Sequence, residues 1–346
     1  MNKLAILYQA HTPPVFDGIL KPKKWGGYSD SGADIAFALK EIVELITPKD
    51  SPDLKTDLEW VFPDTNEGIQ TAINKGATHI WLNTLLYGGH PVEAYFDGHI
   101  HWIGQIPGLV GKYDDKHFTN EFLYEKGLPI SRSIVFEKDT LDVLEKPPFP
   151  LVIKPIRGRG SKGVKVVNNR AEFIRESLKL IDSKRFGNKI MVESFLPGQE
   201  ITLSLMPKGM YSIHGKEVEK PTPWLLPPVL RENHIQEIAP YSGIVPVSHN
   251  SYAIENQALE DTELKLVMEV AQQVGQILDI KAPIRMDARQ NTEGTYQIFD
   301  LNFKPNITGA SRPHRKSQDS LVMIAARALG WTYQDLLLNM LKQAWK

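Results

Sequence analysis

The chain has 346 residues, of which 42% are hydrophobic and 23% are charged, and its formal net charge is −1. This composition is typical of a globular protein of about two or three domains, without a general attraction to nucleic acid or to a membrane surface. The lack of cysteine excludes disulfides, thiolate zinc sites and cysteine nucleophiles. No apolar run approaches the ~18 residues of a membrane span and no signal segment is recognisable, so we expect a cytoplasmic protein.

The N-terminal part of the chain alternates between predicted strands and predicted helices. Residues 4–8 and 79–82 are short apolar runs that predict buried strands. Helices are predicted over residues 33–48, where a proline ends the helix, and over residues 68–75, whereas the Pro/Gly-rich residues 13–32 predict a long loop. This order favours a parallel sheet covered by helices. A dinucleotide-binding fold has no specific support, because GxGxxG is absent.

A glycine-rich segment lies between two predicted strands in the middle of the chain. The strand over residues 149–154 ends on Lys154, and Gly160, Ser161 and Gly163 precede the next strand, over residues 164–167. Backbone N–H groups of such a loop can surround an anion. The alternative is a flexible hairpin with exposed basic residues. Neighbouring predicted elements are a helix at 114–126, a strand at 133–136, a helix at 171–180 and a strand at 189–193.

A short connector, residues 194–198, separates a strand ending in Glu193 from a strand beginning at Glu200. The two glutamates are either solvated strand ends or part of a clamp on a flat ring. In the second case, the connector backbone would meet the edge of adenine, and a carboxylate would hold ribose hydroxyls.

Residues 207–260 are rich in proline and show little regular pattern, which favours either a lid over a substrate or a structural excursion. A helix is predicted from a cap at Asp261 or Thr262 to Leu278, and two helices are predicted at the C-terminus. The basic residues 312–316 are expected to form a solvated patch, with contact to a substrate carboxylate or phosphate as the alternative.

Residues 285–302 predict a β-hairpin with polar side chains on one face. Asp287 shares a face with Arg285, and Asn302 shares a face with Asp300. With the turn centred on residues 292 and 293, Arg285 would lie opposite Asp300, and Asp287 would be its diagonal neighbour. Two carboxylates and an amide oxygen suit a Mg²⁺ ion bound with a nucleotide. The alternative is a simple cross-strand ion pair between Arg285 and Asp300.

In this order, the segments resemble the ATP-grasp superfamily, most closely its D-alanine–D-alanine ligase branch. Each motif is weak alone, but their order and spacing are specific between Lys116 and Ser311. The motifs are Asp115-Lys116 before a helix, Gly127-Leu128-Pro129, the Lys154-Pro155 strand end with its glycine loop, Val192-Glu193 through Glu200, Arg285-x-Asp287 and Asp300-Leu301-Asn302. The resemblance implies a mixed α/β and α+β fold: an N-terminal parallel-sheet domain at 1–111, and two α+β subdomains, at 112–193 and 194–346, that clamp ATP.

The resemblance also implies a role for each matching residue. The ATP-binding residues would be Lys116, Lys154, Gly160, Ser161, Gly163, Glu193, Phe195, Leu196 and Glu200. The ligands of two Mg²⁺ ions, or of Mn²⁺ in their place, would be Asp287, Asp300 and Asn302. The catalytic residues would be Arg285, Asn306 and Ser311. Asp300 stands where the family usually has glutamate.

The implied activity is an ADP-forming ligase that joins a small carboxylic acid to an amine through an acyl phosphate, in a homodimer as in related ligases. Two departures favour substrates other than two D-alanines. The segment 24–32 has no counterpart of the glutamate that holds the first substrate's ammonium. In addition, no lysine occurs between Lys220 and Lys265, where the family has a lid lysine. Either Arg231, His234 or His249 would take its place, or no residue does. The alternatives are a D-alanine–D-alanine ligase with a rebuilt pocket and a non-catalytic ATP-binding protein.

Overall fold

The computed structural model describes residues 2–143, 148–239, 247–254 and 259–346. A parallel sheet covered by two helices forms the N-terminal part. Its elements are β1 Lys3–Tyr8, α1 Ser29–Leu39, β2 Glu44–Leu45, β3 Phe62–Pro63, α2 Asn66–Asn74, β4 His79–Trp81 and β5 His101–Ile103. Strands β2, β1, β4 and β5 are adjacent in that order, β3 also pairs with β1, and every pairing is parallel. The predicted parallel sheet is confirmed.

Two boundaries in this region differ from the prediction. Helix α1 begins at Ser29, inside the predicted loop, and ends at Leu39, well before Pro48. The chain then turns and forms β2, whose Glu44 is the register partner of Lys3 on β1. Pairing with a buried strand therefore prevails over the helical spacing of apolar residues after Leu39. The predicted helix over 33–48 was wrong for its second half.

A second, four-stranded sheet follows two short helices. The elements are α3 Pro107–Tyr113, α4 Lys116–Glu125, β6 Ser133–Phe136, β7 Leu151–Lys154, β8 Lys165–Val167, α5 Arg170–Asp182 and β9 Ile190–Ser194. The strand order is β6-β9-β7-β8, and all pairings are antiparallel. Helix α4 begins at Lys116 because the Asp115 side chain caps it, accepting a 2.9 Å hydrogen bond from the Phe118 N–H.

A third sheet contains the longest strands of the described chain. The elements are β10 Glu200–Met206, β11 Gly209–Ile213, β12 Lys216–Lys220, β13 Trp224–Leu225, β14 Val229–Arg231, β15 Ser251–Ala253, α6 Thr262–Ile277, β16 Ile284–Gln290, β17 Tyr296–Asn302, α7 Leu321–Ala328 and α8 Tyr333–Leu341. The sheet has six strands: the order is β15-β14-β10-β16-β17, and β13 also pairs with β10. Strands β11 and β12 form a separate hairpin. Much of 207–260 is thus regular, contrary to the prediction; residues 240–246 and 255–258 of the expected lid lie outside the described residues.

The β16–β17 hairpin has a different register from the predicted one. Asp287 lies directly opposite Asp300, and Arg285 lies opposite Asn302. The prediction was wrong because an irregularity follows Asp287: Ala288 pairs with Ile298, so Phe299 is an extra residue in β17. This bulge places Phe299 and Asp300 along the same cleft, although strict alternation predicts opposite faces.

The hydrophobic cores connect these sheets. One cluster combines Leu7 of β1 and Trp102 of β5 with Leu203 of β10 and Ile298 of β17. Helix α6 contributes the predicted inward stripe, since Leu264, Val267, Ala271, Val274 and Leu278 are all buried. The predicted domain boundaries at 111 and 193 stay a prediction. Within the described ranges, no helix is long and apolar enough to cross a membrane.

Candidate functional site

A cleft lies between the four-stranded and the six-stranded sheet. The chain crosses from one sheet to the other between β9 and β10, so Glu193 and Glu200 lie at the two ends of the crossing. The cleft has about 910 Å³ of empty space, including its open mouth. The predicted site residues that line it are Lys116, Lys154, Gly160, Ser161, Glu193, Phe195, Leu196, Glu200, Arg285, Asp287 and Asp300.

A buried ion pair joins two of the predicted ATP-binding residues. Lys154 Nζ lies 2.6 Å from Glu193 Oε1 and donates to the Phe299 carbonyl oxygen at 2.9 Å. Burial raises the pKa of Glu193 despite the neighbouring Lys154 ammonium. Glu193 Oε2 is buried and accepts no hydrogen bond from any described residue. Such an acceptor is costly unless a ligand donates to it, and the amino group of a nucleobase is a suitable donor.

A second ion pair joins Lys116 to the hairpin, with Lys116 Nζ 3.1 Å from Asp300 Oδ1. Burial would lower the pKa of Lys116, but Asp300 and Asp114 raise it above its ordinary value. Burial likewise opposes ionisation of Asp300, but Lys116, Lys154 and Arg285 lower its pKa. Both groups are therefore charged at neutral pH, within reach of the Lys154 ammonium.

Asp287 accepts hydrogen bonds on both carboxylate oxygens. Thr202 Oγ1 donates to Oδ1 at 2.7 Å, and Arg285 Nη2 donates to Oδ2 at 2.9 Å. Arg285 therefore pairs with Asp287 along one strand, and in the shifted register Asp287 is the residue opposite Asp300. Asn302 lies outside the cleft lining, and its Oδ1 accepts from the Lys304 N–H at 3.0 Å.

Glu200 lies among positively charged and titratable groups at the other end of the cleft. His234 Nε2 is 2.9 Å and Arg289 Nη1 is 3.9 Å from Glu200 Oε2. Arg231 on β14 is the register partner of Glu200 and lines the cleft. Of the three residues considered in place of the lid lysine, Arg231, His234 and His249, Arg231 is the one in the cleft lining.

The glycine loop joins β7 to β8 as predicted, and its backbone needs residues that tolerate positive φ. Gly160, Ser161 and Gly163 have φ of 59°, 55° and 83°. A Cβ on Gly163 would lie 2.9 Å from Pro155 Cγ. Ser161 Oγ donates to the Ala239 carbonyl oxygen at 3.4 Å, so the loop contacts the segment that was predicted to be a lid.

The predicted catalytic residues lie in two places. Arg285 lines the cleft and also a second, smaller cavity, where Asn306 lies near the beginning of α7. Ser311 lines a different cavity, together with Tyr333 of α8, and its buried Oγ has no hydrogen-bond partner among the described residues. The structure therefore brings Arg285 and Asn306 together but not Ser311, whose role stays a prediction.

Sequence reasoning missed a cluster around the Tyr28 ring. Lys24 Nζ, Arg159 Cζ and Lys304 Nζ lie 4.8, 5.6 and 4.4 Å from the ring centroid. Burial lowers the pKa of Lys304 to about 7, and the charges of Lys24 and Arg159 act in the same direction. No spacing rule could reveal this cluster, because its members come from three distant parts of the chain.

Two of the three predicted metal ligands, Asp287 and Asp300, are placed where they could hold a divalent cation together with phosphates. Asp287 and Asp300 face each other and both line the cleft. Asp300 Oδ1 lies near Lys116 without a directed hydrogen bond. Nowhere in the described ranges do three or more His, Asp or Glu residues form a metal site by themselves. Two carboxylates leave coordination positions for phosphate oxygens and water, as Mg²⁺ prefers.

Two sheets around a cleft, a glycine loop over its mouth and an N-terminal parallel sheet define the ATP-grasp class of fold. The family model described as "D-ala D-ala ligase C-terminus" matches residues 126–342. The chain therefore belongs to this family.

Similar proteins of known name are ligases. The D-alanine–D-alanine ligase of Neisseria meningitidis is 25% identical over 344 residues, covering 92% of this chain and 95% of that protein. D-alanine–D-alanine ligase B of Pseudomonas putida is 24% identical over 233 residues, covering 66% of this chain and 64% of that protein. The D-alanine–D-alanine ligase of Aquifex aeolicus is 26% identical over 228 residues, covering 64% of this chain and 66% of that protein. The chain thus spans slightly under two thirds of the length of these last two relatives.

Solved structures show the same fold. The D-alanine–D-alanine ligase of Bacillus anthracis has a TM-score of 0.65 and 19% identity, covering 99% of this chain and 97% of that chain. The same enzyme complexed with ATP has a TM-score of 0.63 and 18% identity, covering 99% of this chain and 96% of that chain. At these identities, the likeness concerns the fold alone.

Proposed function

We propose that this protein is an ATP-dependent, ADP-forming ligase that joins an amino acid or a related carboxylic acid to an amine. One observation carries the proposal: Lys116, Lys154, Asp287 and Asp300 converge in one cleft beside a glycine loop. Membership of the ligase family and the ligase names of its relatives support it.

The chemistry proceeds in two balanced steps. An oxygen of the substrate carboxylate attacks the γ-phosphorus of ATP, the bond from that phosphorus to the bridging oxygen breaks, and ADP leaves. The amine nitrogen then attacks the acyl carbon, the bond to phosphate breaks, and the amine loses a proton. The protein's contribution is to position the reactants and to neutralise charge, so no nucleophilic side chain is required.

Each cleft residue has a role in this scheme. Lys116 and Lys154 would contact the phosphates, which requires Lys154 to share its proton donors between ATP and Glu193. Glu193 Oε2 would accept from the adenine amino group, next to backbone groups of Phe195 and Leu196. Glu200 would hold ribose hydroxyls, in exchange for its contact with His234. The loop from Gly160 to Gly163 would cover the phosphates.

Asp287, Asp300 and Asn302 would hold two Mg²⁺ ions. Bound there, Mg²⁺ would neutralise the phosphate charge during phosphoryl transfer. Arg285 and the backbone at Asn306 would stabilise the negative charge that develops on the oxygen of the acyl carbon. Ser311 would bind the carboxylate of the second substrate, after the segment around Ser311 has rearranged. Arg231 takes the place of the missing lid lysine. Small-molecule substrates, a homodimer and a cytoplasmic location complete the proposal.

The relatives' names favour D-alanine as both substrates. The segment 24–32 favours another acid, because it lacks a glutamate for the first ammonium and contains Lys24. A third possibility, ATP binding without catalysis, has no specific observation in its favour.

The test is release of ADP from Mg²⁺-ATP with a panel of acids and amines, in the wild type and in Asp300→Ala. Release that depends on one acid and one amine, and is lost in the variant, would establish the ligase. Robust release with D-alanine alone would select the D-alanine–D-alanine reaction. ATP binding without release on the whole panel would contradict the proposal.

A further inference from the structure

Three basic side chains surround one aromatic ring beside the cleft. Lys24 belongs to the loop before α1, Arg159 to the glycine loop and Lys304 to the segment after β17, and all lie within 5.6 Å of the Tyr28 ring centroid. Arg159 also lines the cleft, so the cluster adjoins the proposed phosphate site. We call these four residues the Tyr28 cluster.

The positive charge of the Tyr28 cluster is only partly compensated. Asp30 lies 3.0 Å from Lys24 Nζ, but it is shared with Arg315, at 3.4 Å. Arg159 donates to the Tyr28 hydroxyl and to the Pro22 carbonyl oxygen, both of which are neutral.

Lys304 Nζ donates at 2.8 Å to Oδ1 of Asn83, which is also neutral. Within the described part of the chain, neither Arg159 nor Lys304 has a carboxylate within ion-pair distance. An excess of positive charge in a partly buried site is unfavourable, and an anion bound there would relieve it.

The cluster is held by a rigid frame. Tyr28 is 8% exposed and has a φ of 69°, a conformation that the surrounding contacts must stabilise. Asn83 Nδ2 donates to the Tyr28 carbonyl oxygen at 2.9 Å, while Asn83 Oδ1 accepts from Lys304. Asn83 thereby fixes both the aromatic residue and one basic side chain, so the arrangement around the ring exists without ligand-induced ordering.

We propose that the Tyr28 cluster binds the non-reacting anionic group of the acid substrate, which is therefore a dicarboxylic acid or a similar dianion. This rests on the proposed function and specifies its first substrate. The reacting carboxylate would point from the cluster towards the cleft, where Lys116 and Lys154 lie. An acid with an ammonium in place of the second anion would be repelled by Lys24, Arg159 and Lys304.

The experiment measures equilibrium binding to the full chain by calorimetry, with Mg²⁺ and a non-hydrolysable ATP analogue present. The probes are succinate and glutarate, with butyrate, D-alanine and inorganic phosphate as comparisons. We expect a dicarboxylate to bind at least tenfold more tightly than butyrate or D-alanine. Lys304→Met should weaken dicarboxylate binding about tenfold, and Lys304→Arg should restore part of it.

Lys23→Met is the matched control, because Lys23 is an exposed lysine in the same loop whose amine donates to the Ala10 carbonyl oxygen. This variant should bind dicarboxylates like the wild type. Equal dicarboxylate affinity in wild type and Lys304→Met would overturn the proposal. Loss of affinity for the ATP analogue alone, or a preference for inorganic phosphate, would overturn it as well, because the cluster would then serve the triphosphate.

Binding is measured without turnover, so the result is independent of the ligase reaction. Dicarboxylate binding without ADP release would support the cluster and count against the proposed function. ADP release with D-alanine, but no dicarboxylate binding, would do the reverse.

Discussion

Arg312 Nε donates a 2.8 Å hydrogen bond to Asp34 Oδ1, and both side chains are fully buried. The pair joins the segment after β17 to helix α1, and Arg315 Nε reaches the other oxygen of Asp34, also at 2.8 Å. Sequence alone favoured a solvated basic patch at 312–316, which is wrong for Arg312. The ion pair instead attaches the C-terminal part of the chain to helix α1, which packs on the N-terminal sheet.

The first prediction concerns this buried pair. Arg312→Met should lower the free energy of unfolding by about 3 kcal/mol, because it leaves a buried carboxylate with one partner fewer. Urea denaturation measures the change. Arg327→Met is the matched control, because Arg327 also pairs with an aspartate, Asp319, but its side chain is 44% exposed. This substitution should lower the free energy of unfolding by less than about 1 kcal/mol. Equal losses of unfolding free energy in Arg312→Met and Arg327→Met would contradict the stabilising role of the buried pair.

The second prediction concerns Lys116. Lys116→Met should reduce kcat/KM for ATP by about 100-fold, because it removes a charge aimed at the proposed phosphate site and leaves Asp300 without its nearest cation. Steady-state ADP release on the identified substrates measures it. Lys126→Met, at the other end of the same helix and exposed, should retain activity. Comparable activity in Lys116→Met and the wild type would remove Lys116 from the site.

The third prediction concerns the glycine loop. Gly163→Ala combines a φ of 83° with a Cβ that would lie 2.9 Å from Pro155 Cγ and 3.0 Å from Phe186 Cε2. The loop must shift, so affinity for the ATP analogue should fall at least about tenfold. Gly98→Ala is the control, because Gly98 has the same φ of 83° but no atom lies within 4 Å of the added Cβ. It therefore carries the backbone strain of about 1 kcal/mol without the steric contacts. Equal affinities for the analogue in the two variants would show that the loop tolerates the shift.

The fourth prediction concerns acid stability. Burial would raise the pKa of Asp64, but hydrogen bonds from His90, Thr84 and the Ala10 N–H hold it below its ordinary value. A carboxyl whose folded-state pKa lies below its unfolded value of about 3.9 stabilises the protein above that pH, and this stabilisation is lost as the pH falls through the folded-state pKa.

Asp64→Asn should therefore be less stable than the wild type at about pH 6, and it should lose less stability between about pH 6 and pH 3. Denaturant midpoints across this range provide the measurement. Asp50→Asn, at a side chain that is 98% exposed, is the control and should follow the wild type. If Asp64→Asn and the wild type lost the same stability between about pH 6 and pH 3, Asp64 would not be the source of the acid sensitivity.

The best sequence predictions were those that depend on local patterns. Helix α6 lies where its cap and apolar stripe predict, with Asp261 accepting from the Leu264 N–H. The β16–β17 hairpin and the strand–glycine loop–strand unit are also present. Their periodicity and turn residues are local signals, which do not depend on the rest of the fold.

By itself, the sequence determined the element types in these periodic segments and the motifs that place the chain in its family. Only the tertiary structure decided the bulge that sets Asp287 opposite Asp300, the end of α1 at Leu39 and the separation of Ser311 from Arg285. It also decided the convergence of Lys24, Arg159 and Lys304 on Tyr28. Strand register and contacts between distant segments depend on how whole sheets pack, and no local pattern encodes that packing.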